Sequence, residues 1–217
     1  MALRASAICA LLLVLAAGCG SKSSSEGSST NDKSGVCAQF GDVAAPRETK
    51  APWSAPGDPM ALTCAAGLIP EKAEFLQYHV HAHLDVFFNG DPVTVPAGIG
   101  IDTTNPAVIS DEQGVGLTRD CDEPCISPLH THATDGVLHT ETKTPEPNSL
   151  GQFFVQWNVP FDSSCVGDYC APDTPIGVYV DGASYDGDPR EIELSDGREI
   201  AIVIGTPPDP IPADFQQ

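Results

Sequence analysis

YHVHAHLDVFFNG, residues 78–90, alternates strictly between two kinds of side chain. Val80, Ala82, Leu84 and Val86 fall on one face, and His79, His81, His83 and Asp85 on the other. A period of two is the signature of a β-strand, whose successive side chains point to opposite faces of the sheet. Asn89-Gly90 closes the stretch with a pair suited to a two-residue hairpin turn. Folding about that turn pairs Val86 with Val93 and Leu84 with Val95, so apolar meets apolar and the register is self-consistent.

A second segment, LHTHATDGVLHTE at residues 129–141, carries the remaining histidines, His130, His132 and His139. Asp135-Gly136 again predicts a tight turn. A two-residue loop sets His132 opposite His139, with Cβ atoms about 5 Å apart and His130 diagonal to them. A four-residue loop pairs His130 with His139 instead. Only a three-residue loop turns His139 away. All six histidines of the 217-residue chain thus lie in two segments whose spacing places them side by side.

Imidazole is the commonest protein ligand for transition metals. The sequence therefore predicts that His79, His81, His83, His130, His132 and His139 build one metal site. His79 is the expected outlier, because it stands at the start of its strand. Asp85, Asp135 and Glu141 are the candidate acids to support those rings. Nitrogen donors suit Cu or Zn and disfavour Ca and Mg. Past the leader the only methionine is Met60, remote in sequence from both segments, which argues against a thioether-rich Cu(I) carrier.

The N-terminus predicts export. Arg4 is followed by an apolar run from Ile8 to Ala17, too short to span a membrane, which ends in Gly18-Cys19. Residues 1–18 read as a lipoprotein signal peptide and Cys19 as the lipidated residue. From Gly20 to Gly35 no apolar residue occurs, so residues 19–36 read as a lipidated cysteine and a serine-rich tether. Residues 37–217 read as a single domain. Localisation in the cell envelope follows, anchored by lipid and facing the periplasm or exterior.

In an oxidising compartment the other cysteines are expected to pair: Cys121 with Cys125, Cys165 with Cys170, and Cys37 with Cys64. The rival assignment makes Cys125 a thiolate ligand, five residues before His130. A formal net charge of −20 excludes nucleic acid as partner, since phosphates need Lys and Arg. The expected partners are a metal ion, the membrane through the lipid anchor, and a metal-donor or metal-acceptor protein.

The rest of the chain predicts a mainly β domain, an antiparallel sandwich or small barrel built from hairpins, with one or two short helices. Asp58-Pro59 and Gly67 punctuate a helix over Met60–Ala66. Ser149-Leu-Gly-Gln152 is a capping box opening a helix whose Leu150, Phe153, Phe154 and Trp157 share a core-facing side. Ile176–Val180 reads as a strand. Glu191–Leu194 and Arg198–Ile204 read as a hairpin about Ser195-Asp196-Gly197, pairing Ile192 with Ile200.

Five segments also carry a resemblance: HVHAHLDVFFNG (79–90), VPAGIGI (95–101), LHTHATDGVLH (129–139), LGQFFVQW (150–157) and IVIGTPPDPIP (202–212). The chain resembles an uncharacterised family of secreted and lipoprotein-type bacterial and archaeal proteins. In that family an Asp often follows the second His of the LHTH segment, where this chain has Ala133 and then Asp135. The resemblance implies a shared site and names no activity.

Three functional classes follow. One is a metal-binding lipoprotein that buffers, delivers or senses Cu or Zn. Another is a metalloenzyme with a His-ligated centre that ionises water. The third is a cupredoxin-like electron-transfer protein that uses Cys125 and His130. Whether the chain is an enzyme stays open at this point.

Overall fold

The computed structural model describes residues 35–41, 43 and 49–215. The signal peptide, Cys19 and most of the tether lie outside them. Among the described residues no helix is long and apolar enough to cross a membrane.

In chain order the elements are helix α1 (Pro59–Ala65), β1 (Tyr78–Phe88), β2 (Asp91–Val93), β3 (Val108–Asp111), β4 (Gly114–Leu117), β5 (Leu129–His130) and β6 (Val137–Thr142). Helix α2 (Leu150–Trp157), β7 (Cys165–Val166), β8 (Tyr169–Cys170), β9 (Ile176–Val180), β10 (Ala183–Ser184) and β11 (Arg198–Ile204) follow, with a 3₁₀ turn at Pro189–Glu191. The fold is mainly β, as the sequence predicts. Its largest sheet has seven strands in the order β10-β9-β11-β1-β6-β5, with β2 also on β1, and it does not close into a barrel.

The alternating strand is the axis of that sheet. On one edge β1 pairs with β11 along residues 82–88. On the other edge β6 takes residues 78–83 and β2 takes 86–88. Asn89 and Gly90 both have positive φ, 52° and 88°, as the predicted tight turn requires. Val86 faces Val93 as expected. Leu84 does not reach Val95. Instead its N–H donates to the Gly136 carbonyl at 2.9 Å, bridging the gap between β2 and β6.

The hairpin predicted at 191–204 does not form. Asp188 caps the 3₁₀ turn, and the chain then runs to the entry of α2, where Leu150 N–H donates to Ile192 O and Leu194 N–H to Asn148 O. β11 pairs in parallel with β1 and antiparallel with β9. The physical reason is burial. From Glu199 to Ile204 every residue of β11 is buried, on both faces, which suits an interior strand flanked on both edges. The sheet is therefore mixed rather than wholly antiparallel.

One face of the sheet is the core. Ala82, Leu84 and Val86 join Leu129, Leu138, Val178, Ile200, Ile202 and Ile204 against Phe153, Phe154 and Trp157 of α2. Burying each large side chain contributes roughly 1.5–3 kcal/mol. The capping box of α2 is present in both directions, with Gln152 N–H donating to Ser149 Oγ and Ser149 N–H to Gln152 Oε1. The three predicted disulfides are all present. The opposite face of the sheet carries the histidines.

Candidate metal centre

Register places the side chains. His130 on β5 stands opposite His139 on β6, and His139 stands opposite His81 on β1, so three imidazoles form one row across three strands. The neighbouring row pairs His79 with Glu141. The His130–His139 pairing is the register of the four-residue-loop alternative, but β5 ends at His130 and the intervening residues form a longer loop.

His132 arrives from that loop and is fixed by β4. Val115 N–H donates to His132 O at 2.7 Å, and the His132 ring nitrogen Nδ1 meets Val115 O at 2.6 Å. Gly114 permits this approach. A Cβ there would lie 2.6 Å from His132 O, and its φ of +130° is strained for any other residue.

Two rings have their tautomers set by carbonyls, which only accept. His130 Nδ1 lies 2.8 Å from Ser127 O and His132 Nδ1 2.6 Å from Val115 O, so each neutral ring carries its proton on Nδ1. Their Nε2 atoms then present lone pairs to each other across 3.0 Å. His130 is fully buried. Burial, with the neighbouring His132 charge second, pushes its pKa down to about 3, so it is neutral at ordinary pH.

Glu141 sits at the centre of the cluster and is 5% exposed. Its Oε1 is 3.1 Å from His79 Nε2, 3.6 Å from His139 Nδ1 and 4.0 Å from His130 Nε2. Burial alone would raise its pKa, but the contact with His139 first, and then the other imidazoles around it, outweigh that and hold it low. Among the described residues, buried His139 Nδ1 and Glu141 Oε2 have no partner within hydrogen-bond distance, His139 Nδ1 standing 3.6 Å from Glu141 Oε1. Leaving such groups unpaired costs about 1–3 kcal/mol each, more for a charged one. His79 and His81 complete the cluster, with Nε2 atoms 2.8 Å apart. Burial first, then the charges of His139 and His79, lower the His81 pKa.

Among the described residues the donors fall into three sets, the first two sharing His139. In each, one ligand atom per residue lies within 4.8 Å of all the others: His130, His132, His139 and Glu141; His79, His81 and His139; and, separately, His83, Asp85 and Glu199. Such groups could hold a metal ion.

His83, not His79, stands apart. Its cross-strand neighbours are Val137 and Glu199, so no imidazole lies beside it in its row. Its Nδ1 is 2.9 Å from Glu199 Oε2, and its Nε2 is 2.8 Å from the Asp135 carbonyl. Burial lowers its pKa, but the hydrogen bond and charge of Glu199 more than reverse this, and the net shift is upward. Asp85 belongs with His83, 3.9 Å away, rather than with the cluster. The Asp135 side chain points elsewhere, accepting Val137 N–H. Cys125 is bonded to Cys121 and offers no thiolate.

Sequence reasoning missed two acids. Glu74 Oε1 lies 3.9 Å from His132 Nε2, in an irregular segment with no periodicity to mark it. Glu199, fully buried, faces His83 only because β11 runs parallel to β1. Comparison of the chain with protein-family models, curated proteins and solved structures returns no match.

Proposed function

We propose that this chain is an exported lipoprotein whose histidine face binds a transition metal, Cu or Zn, for buffering, delivery or sensing in the cell envelope. One observation carries the metal reading: two carbonyl-locked imidazoles direct bare Nε2 atoms at each other across 3.0 Å. Either a shared proton or a cation can make that contact favourable. A proton would engage only those two atoms and leave His139 Nδ1 and Glu141 Oε2 orphaned in the interior. A divalent ion between them engages His130, His132, His139 and Glu141 together. Three imidazoles and one carboxylate suit Zn(II) or Cu(II).

The apolar leader ending in Gly18-Cys19, the tether and three disulfides support export and lipidation. Membership of the secreted and lipoprotein-type family suggested by the sequence motifs is part of this proposal. The electron-transfer copper reading loses its thiolate to the Cys121–Cys125 bond. Elemental analysis of the protein exported to a periplasm tests the metal reading. Stoichiometric Cu or Zn, reduced by His130→Ala at unchanged far-ultraviolet dichroism, is expected. Metal-free protein that takes up neither ion contradicts it.

A further inference from the structure

We infer that the histidine face is a two-ion centre, with a retained ion on His130, His132 and Glu141, an exchangeable ion on His79 and His81, and His139 between them. This rests on the metal reading above and goes beyond it. Two nitrogens bound to one Zn or Cu ion can be no further apart than twice the bond length, about 4.2 Å. No set of mutually close donors among the described residues joins His79 or His81 to His130 or His132. His139 belongs to both sets, and once its ring N–H proton is lost to solvent the imidazolate offers a lone pair on each of its two nitrogens, one for each ion.

The sets differ in access. His130 and Glu141 are buried, and with His132 and His139 they fill all four positions of a tetrahedral ion. His79 is exposed and His81 half-buried, and with His139 they supply three nitrogens. A fourth position on that outer ion stays open to solvent or to an incoming imidazole or thiolate of an acceptor protein. Associative attack at an open position gives the outer ion a route out that the closed inner site lacks.

The test is Zn(II) loading of the purified protein followed by release to a chromophoric chelator. Two equivalents are expected, one leaving at least tenfold faster than the other. His81→Ala should delete the fast phase and keep the slow one. His132→Ala, at the half-buried rim of the inner set, should delete the slow one. A single equivalent released in one phase overturns the two-ion reading and leaves the metal centre standing. Loss of both equivalents in His81→Ala also overturns it. No zinc uptake at all removes both readings.

Discussion

At the scale of single residues, the tautomers of His130 and His132 are set by the carbonyls of Ser127 and Val115. His130 is neutral in the folded chain down to about pH 3, whereas an ordinary histidine protonates near 6.5. Between those values the unfolded chain binds a proton that the folded one refuses. Stability of the metal-free protein therefore falls as pH drops through 6.5 towards 3, by up to about 1.4 kcal/mol per pH unit from this group. The carboxylates add their own slopes, so the readout is the comparison with His130→Gln. Urea midpoints from pH 7 to 4 should be flatter in that variant, and identical slopes would contradict the assignment. The histidines were legible in sequence because their type and spacing are unusual. Which of them gather was not, because cross-strand partners decide it: His81 faces His139, and His83 faces Val137 and Glu199. The expected outlier, His79, is instead 3.1 Å from Glu141.

At the scale of elements, what is written locally was readable and what depends on distant pairing was not. The Asn89-Gly90 turn, the strand alternation and the capping box of α2 each rest on residues within a few positions of one another. The parallel β1–β11 pair joins segments more than a hundred residues apart, and no local signal separates it from a hairpin. The β3–β4 hairpin is the element that sets His132, through Val115 and Gly114. Gly114→Ala places a methyl against the His132 carbonyl. It should weaken metal binding about tenfold or more, the scale expected when support for a ligand is lost. Calorimetric titration of Zn(II) checks this, and unchanged affinity in a folded variant would show that the hairpin does not position the ring.

At the scale of the whole molecule, one sheet divides the labour of its two faces. Aliphatic residues at even positions of β1 and β11 build the core with α2. Odd positions of β1, together with β5 and β6, bring four imidazoles and Glu141 to the polar face, and the loop after β5 adds His132 as the fifth ring. Disulfides hold the segments flanking the sheet without using the histidine face. X-ray absorption at the metal edge of the Zn- or Cu-loaded protein reads out the atoms that bind the ion. Nitrogen and oxygen neighbours at about 2.0–2.1 Å, with the outer-shell scattering of at least three imidazole rings, are expected. Sulfur neighbours at about 2.3 Å, or an all-oxygen shell without imidazole scattering, would contradict binding by the histidine face.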